Sequence, residues 1–339
     1  DGLVGVSDLL DFLSVYGDTD SDGDGIFDSV DECVDLAACN YQSNPTDPCF
    51  YYLDALGVCG GVCPSDDDED GVCDFPPLTD GNIHGAVGLW LSDESQAEDT
   101  YGHISDWDVS SVTNMTGLFQ QASSFTGDLS SWDVSSVTNM NSMFSSASSF
   151  NSDLSSWDVS SVVDMGGMFG GAMSFDGNLS SWDVSSVVDM TWLFYNASSF
   201  NGNISSWDVS SVTSMISMFH GAWSFNGDIS GWDVSSVVGM GGMFHTAISF
   251  NRDLFSWDVS SVVDMTQMFW SASNFNGDVS SWDVSSVTSM AYLFREASSF
   301  NIDLSSWDVS NVTDMSLMFE QANNFNGDIS DWDVSSVTN

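Results

Sequence analysis

Aspartates at alternating positions mark residues 20–31 as a candidate calcium loop. Asp20, Asp22, Asp24, Asp28 and Asp31 stand at positions one, three, five, nine and twelve of a twelve-residue loop, with Gly25 at six and Ile26 at seven. Calcium takes six to eight oxygen ligands, and alternate carboxylates on a tight glycine turn supply them together with the Ile26 carbonyl. An acidic linker without structure is the alternative. The spacing favours calcium as a cofactor, because random acidity seldom places the glycine and every ligand together.

Two other stretches carry parts of the same pattern. Asp66, Asp68, Asp70 and Asp74 surround Gly71, which predicts a second, shorter calcium loop. Residues 1–17 begin with Asp-Gly and continue as an amphipathic helix, so they resemble the second half of a dockerin-type or EF-hand calcium loop. A helix capped by Ser7 or Asp8 explains residues 1–17 equally well.

All six cysteines lie close together, at Cys33, Cys39, Cys49, Cys59, Cys63 and Cys73. An even number in so short a stretch, beside acidic calcium-type loops, predicts disulfides and an oxidising, extracellular setting. Structural zinc is the weaker alternative, because no histidine lies among these cysteines. Six cysteines allow fifteen connectivities, so the pairing stays open. We expect residues 18–78 to form one Cys-rich calcium module.

The charge balance excludes several classes of partner. Fifty Asp and Glu residues face two arginines, Arg252 and Arg295, and no lysine, which gives a net charge of −48. Nucleic-acid binding is excluded because phosphate contacts need cations, and binding to an anionic membrane surface is disfavoured for the same reason. No apolar stretch of the chain approaches the roughly 20 residues that a membrane-spanning helix needs.

The rest of the chain repeats a 25-residue unit. Its tryptophan returns without insertion or deletion at Trp107, Trp132, Trp157, Trp182, Trp207, Trp232, Trp257, Trp282, Trp307 and Trp332. A fixed period of this size predicts stacked repeats that bury their apolar faces only against neighbouring repeats. Alternating and β-branched residues predict short parallel strands at Leu129, Trp132 to Val134 and Val137-Thr138, and residues 140–147 have the spacing of helical turns. The predicted fold over residues 106–339 is therefore mainly β, a leucine-rich-repeat-like solenoid of about ten repeats with short helical turns.

Residues 79–105 differ from the repeats and lead into them. Ile83, Val87, Trp90 and Leu91 share one face of a predicted helix, and Asp80 is available as its N-cap. This helix is suited to cover the open apolar end of the first repeat as an N-terminal solenoid cap. No matching cap is visible at the C-terminal end of the sequence, so we expect an open repeat there.

An aspartate follows the tryptophan in all ten copies. Carboxylates stacked about 4.8 Å apart repel each other by roughly 1 kcal/mol per neighbour even in water, so another interaction must offset the repulsion. Asx-type hydrogen bonds to the following Ser-Ser backbone are one solution, and a column of bridging cations is the other. We expect the Asx turn, because it needs no partner outside the chain.

Function in a repeat protein is expected where the repeats differ. Aromatic residues cluster on one variable edge, and we call Trp192, Tyr195, Trp223, Trp270 and Tyr292 the aromatic strip. An exposed strip of this kind indicates a partner surface for a sugar, another protein or a second copy of the chain. His220 and His245 share a column of this edge, but two imidazoles without a third ligand make a poor metal site. Sequons at Asn114, Asn178, Asn196, Asn203 and Asn311 are candidate glycosylation sites.

The repeat Phe-Asn-x-Asp-(Ile/Leu)-Ser-x-Trp-Asp-Val-Ser-x-Val-Thr-x-Met-x-x-Met-Phe-x-x-Ala resembles that of BspA-like surface proteins, a leucine-rich-repeat-type family of bacteria and microbial eukaryotes. The resemblance covers residues 82–339. It implies a secreted or surface-exposed protein associated with adhesion and surface layers, and it brings no catalytic residues. Residues 20–31 with the following Cys33 resemble a thrombospondin type 3 repeat, which implies a calcium-binding stalk.

An enzyme is the least supported class of function. The sequence shows no nucleophile–histidine–acid set, no His-Glu-x-x-His motif and no phosphate loop. The leading hypothesis is a non-catalytic extracellular or cell-surface protein, in which a calcium-stiffened stalk carries a solenoid that self-associates in a fibre or coat, because an open repeat can stack on another chain. The alternative is an adhesin or carbohydrate-binding module that uses the aromatic strip.

Overall fold

The computed structural model describes Phe75 and residues 77–339 of the chain. The predicted calcium loops, the six cysteines and the segment 1–17 lie outside the described residues. The chain divides into two compact units, residues 1–76 with 98–102 and residues 77–97 with 103–339. The repeats belong to the second unit.

Helices precede the repeats in the described part of the chain. Helix α1 spans Ile83–Ser92, helix α2 spans Glu94–Tyr101, and a short 3-10 helix spans Ile104–Asp106. The buried residues of α1 are Ile83, Ala86, Val87 and Trp90, whereas Leu91, which was predicted to share this face, is exposed. The Trp90 ring meets Trp107 edge-on, with ring centroids 5.8 Å apart. Helix α1 therefore packs against the first tryptophan of the repeats.

Asp80 has a different role from the predicted N-cap of α1. The N-cap position belongs to Asn82, whose side chain makes no capping hydrogen bond. Asp80 instead accepts hydrogen bonds from the backbone N–H groups of Thr113 and Asn114 at 2.8 and 3.0 Å, and from the Thr113 hydroxyl at 2.6 Å. The bond from this hydroxyl is the main cause that lowers the pKa of Asp80. Asp80 thus joins the segment before α1 to the first repeat.

The prediction of a mainly β, leucine-rich-repeat-like solenoid is wrong. In the described repeats the β structure is reduced to isolated parallel bridges between equivalent residues, from Asn114–Asn139 to Ser289–Asp314. The strands predicted around Trp132 are turns and irregular segments. Residues 140–147, predicted as helical turns, form a series of tight turns instead.

Alternating backbone hydrogen bonds explain why neither strand nor helix forms at residues 140–147. Met140, Ser142, Phe144 and Ser146 donate to carbonyls of the next repeat at 2.6–2.9 Å, whereas Met143, Ser145 and Ala147 donate to the carbonyl three residues earlier at 3.0–3.1 Å. Ser142 and Ser146 also have left-handed backbone angles, with φ of 57° and 62°. Residues with positive φ interrupt a right-handed helix. This segment of the repeat is therefore a chain of turns, and every second amide holds it to the next repeat.

Three columns of aromatic rings form the core of the stacked repeats. Neighbouring tryptophans from Trp157 to Trp332 stack with ring centroids 6.2–6.5 Å apart, which is wider than the strand spacing of about 4.8 Å. The other two columns are phenylalanines, and they meet within each repeat, as Phe144 and Phe150 do at 3.9 Å. The Trp157 indole N–H also donates to the Leu129 carbonyl of the preceding repeat at 2.9 Å. This bond distinguishes the tryptophan column from the phenylalanine columns, because phenylalanine has no donor.

The aspartate after each tryptophan closes a turn, as predicted. In all ten copies its Oδ1 accepts the backbone N–H of the serine two residues later at 3.0–3.1 Å. In the copy at Asp258 the hydroxyl and N–H of Ser260 lower the pKa of the carboxyl, while the neighbouring Asp283 raises it. The hydrogen bonds therefore oppose the repulsion within the column, and the Asx turn is the arrangement that the structure shows.

Candidate binding site

The aromatic strip lies on the variable edge, but it is not uniformly exposed. Trp192 and Trp223 are each 55% exposed, whereas Tyr195, Trp270 and Tyr292 are half-buried. Only the first two therefore present most of an indole to a partner. Trp270 and Tyr292 lie together with ring centroids 5.5 Å apart.

Two of the five strip residues, Tyr195 and Trp270, belong to a ladder of contacting rings that runs across the repeats. Tyr195 and His220 are 4.6 Å apart, His220 and His245 are 4.2 Å apart, and His245 and Trp270 are 4.6 Å apart between ring centroids. Arg295 ends the ladder, with its guanidinium 4.8 Å from the Trp270 ring. These contacts make Tyr195, Trp270 and the two histidines partly structural.

Arg295 is held by charge as well as by aromatic rings. Its Nε lies 2.6 Å from an oxygen of Glu320 and 3.5 Å from an oxygen of Glu296. Its guanidinium also lies 5.6 Å from the Tyr292 ring. One of the two cations of the chain is thus used within the ladder rather than offered to a partner.

The paired histidines are electrically neutral near pH 7. Burial lowers the pKa of His220, and burial together with the neighbouring His220 lowers the pKa of His245 to about 4. The buried Nδ1 of His245 makes no hydrogen bond to the residues that the structure describes. Within the same described residues, no group of three or more His, Cys, Asp and Glu side chains is placed to hold a metal ion.

A groove of about 880 Å³ opens beside Trp192 on this edge. Gly167, Gly170 and Gly171 line one part of it, and Trp192 and Tyr195 line another. The equivalent positions of the next repeat hold Trp192, Tyr195 and Asn196. The glycines therefore leave open the space that large side chains occupy in that repeat. The groove is thus a gap left by one small-residue repeat beside an aromatic one.

The groove is uncharged although the chain carries fifty acidic residues. None of the described residues that line it is Asp, Glu, Lys or Arg. Its polar groups are hydroxyls, amides and the His220 imidazole, and they include Ser145, Ser146 and Asn196. These three side chains make no hydrogen bond with other described residues, so they are available to a ligand.

Trp192 has a left-handed backbone conformation, with φ of 59°. The same column holds Gly117, Gly167 and Gly242, with φ of 62–66°, and non-glycine residues with φ of 52–61° at Ser142, Ser217, Gln267, Tyr292 and Leu317. Bulky residues rarely adopt this conformation, and its cost is on the order of 1–2 kcal/mol. The chain therefore places a large exposed side chain where its own repeats show that glycine fits without strain.

Sequence reasoning missed the groove and two exposed apolar residues. Met173, beside the groove, is 55% exposed, and Phe255 is 57% exposed. Phe255 replaces a serine that stands at this position in the other repeats, so aligning the repeats reveals it. The gap at Gly167 to Gly171 is also visible in the aligned repeats, but its position beside Trp192 follows only from the stacking.

The asparagines of the five sequons differ in exposure and in hydrogen bonding. Asn114, Asn178, Asn203 and Asn311 are exposed, and Asn196 is half-buried in the groove. The side-chain oxygens of Asn178 and Asn203 accept the hydroxyls of Ser180 and Ser205 at 2.7 and 2.8 Å. The Asn311 amide donates to the Ser285 carbonyl at 2.8 Å. Glycosylation at the five sequons stays a prediction.

A family model described as "Mycoplasma protein of unknown function, DUF285" matches residues 92–192, 175–264 and 249–339. The three matches are tandem and together cover the repeats. No curated protein matches the chain. Neither helix in the described part of the chain has the length and apolar character needed to cross a membrane.

Proposed function

Because the chain belongs to the DUF285 family of tandem-repeat proteins, for which no activity is described, we propose its function from its own surface. It is a non-catalytic, extracellular surface protein that recognises a partner through the aromatic strip, as an adhesin or carbohydrate-binding module. The groove beside Trp192 is the observation that carries this proposal. An exposed indole next to an uncharged concave surface is typical of a ligand site.

The extracellular setting is supported by sequence features outside the described residues. The repeat resembles that of BspA-like surface proteins, and the acidic stretch before it resembles a thrombospondin type 3 stalk. The calcium sites and disulfides predicted for residues 18–78 fit an oxidising compartment with abundant divalent cations. The stalk would hold the repeats away from the surface that carries them.

A binding panel tests the proposed recognition function. The labelled chain is applied to a printed panel of neutral, sialylated and sulfated glycans and extracellular-matrix proteins, beside a variant with Trp192, Trp223 and Trp270 changed to Ala. We expect the native chain to bind at least one member and the variant to lose that binding. Binding that survives all three substitutions, or the absence of binding to any member, would contradict the proposal.

Self-association in a fibre or coat is the second candidate function. A stripe of exposed valines favours it: Val163, Val188, Val238 and Val263 are 39–48% exposed. Each of them directly precedes a residue that forms a parallel β-bridge. The amide of Val188 donates to Val163 and that of Val263 to Val238, so each pair occupies adjacent repeats. Two apolar pairs, separated by Thr213 in the same column, are suited to contact with a second copy of the chain.

Salt dependence tests self-association, because the net charge of −48 opposes contact between copies until salt screens it. We expect sedimentation velocity to show oligomers in 1 M sodium chloride and monomers at low salt. Replacing Val163 and Val238 with Thr, which occupies the same column at Thr213, should abolish the oligomers. A chain that stays monomeric at every salt concentration rejects this candidate.

A further inference from the structure

We propose that the groove beside Trp192 binds a neutral carbohydrate, with one pyranose ring stacked on the Trp192 indole. This inference rests on the proposed recognition function and adds the chemical class of the ligand. It is carried by two features of the groove: its aromatic platform and its uncharged polar lining.

The aromatic platform suits a sugar ring. A pyranose has an apolar face of C–H groups, and a half-exposed indole offers a flat apolar surface of comparable size. Trp192 is 55% exposed, so a ligand can cover it. The gap at Gly167, Gly170 and Gly171 leaves space at the side of the indole for the rest of the ring.

The polar lining suits hydroxyl groups. Ser145, Ser146 and Asn196 offer donors and acceptors that are free within the described residues, and a sugar hydroxyl can use both roles. A purely aliphatic ligand would leave these groups without partners, which is unfavourable for polar groups that become buried. The lining therefore favours a ligand covered in hydroxyls over an aliphatic one.

The charge of the molecule selects among carbohydrates. The chain carries −48, and a charge of this size repels polyanions over the distance of its field. Sialylated and sulfated glycans would therefore approach the groove against repulsion. A cationic peptide would be drawn to the aspartate columns instead, since the groove has no acid among its described lining residues.

The left-handed conformation of Trp192 belongs to its column and does not locate the ligand, because non-glycine residues adopt it also at Ser142, Ser217, Gln267, Tyr292 and Leu317. What distinguishes Trp192 is that its exposed indole lies beside the gap at Gly167, Gly170 and Gly171.

Calorimetric titration with neutral and charged probes tests the inference. The probes are the hexasaccharides of β-1,4-linked glucose, β-1,4-linked N-acetylglucosamine and α-linked mannose, a sialylated and a sulfated oligosaccharide, and decalysine. We expect at least one neutral hexasaccharide to bind. Trp192→Gly should weaken its binding at least tenfold, and Ser145→Asp should also weaken it.

Two controls separate loss of contact from loss of fold. Leu317→Gly removes another side chain from a left-handed position, where φ is 55°, and Leu317 is 48% exposed and outside the groove. Phe255→Ser removes a similarly exposed aromatic ring from outside the groove, at a position where the other repeats hold serine. Both should bind the hexasaccharide as the native chain does. Trp192→Gly should melt no lower than the native chain, because glycine relieves the backbone strain.

The possible failures are distinguishable. One outcome is that no neutral sugar binds, while the native chain binds a sialylated glycan, a sulfated glycan or a protein and the variant with Trp192, Trp223 and Trp270 changed to Ala does not. The proposed function then stands and this inference is overturned. Neutral-sugar binding that is unchanged by Trp192→Gly also overturns it. If no panel member binds through the strip, the proposed function itself fails.

Discussion

Asp228 shows at the scale of one residue how the acidic columns are tolerated. Its carboxylate accepts the backbone N–H and the hydroxyl of Ser230 at 3.1 and 2.7 Å, which lowers its pKa. Asn178 and Asn203 make the same turn in other repeats. We expect Asp228→Asn to leave the free energy of unfolding within about 0.5 kcal/mol of the native value. Asp228→Ala should lower it by roughly 0.5–1 kcal/mol, toward the low end of a hydrogen bond's contribution because the site is exposed.

Urea unfolding of the three chains checks the prediction for Asp228. If the alanine variant is as stable as the asparagine variant, the Asx turn does not contribute to stability. A loss of stability in the asparagine variant alone would show that the charge matters instead, as it would in a cation site.

His245 predicts a specific pH dependence. Its folded-state pKa of about 4 lies below its usual value of 6.5, so the unfolded chain binds the proton first as the pH falls. The contribution of the neutral imidazole is fully present above pH 6.5 and is lost progressively between pH 6.5 and 4. The aspartates with lowered pKa lose their contribution only at lower pH, below their usual value of 3.8.

The pH profile of the melting temperature tests the prediction for His245. Between pH 6.5 and 4 the native chain should lose more stability than His245→Gln, which has no proton to gain. Parallel profiles for the two chains over this range would show that His245 is not buried in the ladder as described.

At the scale of the repeat, the aromatic columns hold the molecule together. Phe219 is fully buried, lies 3.9 Å from Phe225 within its repeat and stacks 5.6–5.7 Å from Phe194 and Phe244. We expect Phe219→Ala to lower the free energy of unfolding by about 3–5 kcal/mol. The control Trp223→Ala, at an exposed position, should change it by about 0.5 kcal/mol or less.

Chemical denaturation measures the free energy of unfolding of the native chain, Phe219→Ala and Trp223→Ala. Equal, small effects would mean that the phenylalanine columns do not form the core. An effect at Trp223 as large as that at Phe219 would mean that this indole is covered rather than exposed.

The repeat sequence predicted the core but not the backbone. The 25-residue period and the recurring Trp and Phe predict which residues are buried and that equivalent residues stack. The backbone differs from prediction because Ser142 and Ser146 adopt left-handed angles, and serine gives no signal of this. Aligning the repeats would have supplied one, since Gly167 and Gly171 stand in the same two columns with φ of 62° and 74°.

The sequence predicted the candidate site only in part, because it does not show how neighbouring repeats are placed on each other. Trp192 and Trp223 are exposed as a surface strip requires, because they stand at variable positions of the repeat. Stacking hides much of Trp270, which lies between His245 and Arg295. Which variable residues stack on each other depends on the lateral offset of neighbouring repeats, and a single sequence does not contain that offset.

At the scale of the whole molecule, the two parts of the chain should respond differently to calcium. We expect a chelator to increase proteolysis within residues 18–78, because the carboxylates of the predicted loops then repel each other without a counter-ion. The melting transition of the repeats should not change, since their aspartates are satisfied by serine N–H groups. Limited proteolysis with mass spectrometry, beside calorimetry, reads the two parts separately.

Two outcomes would contradict the prediction for calcium. Equal proteolysis of residues 18–78 with and without chelator would count against the loops as calcium sites. A lower melting temperature of the repeats in chelator would show that their aspartate columns hold cations after all.

The most direct test of the proposed site is a crystal structure of the chain with a bound neutral hexasaccharide. We expect a pyranose ring in van der Waals contact with the Trp192 indole, and sugar hydroxyls within hydrogen-bond distance of Ser145, Ser146 or Asn196. A sugar bound at Phe255 or along the aspartate columns, with the Trp192 indole left uncovered, would contradict it.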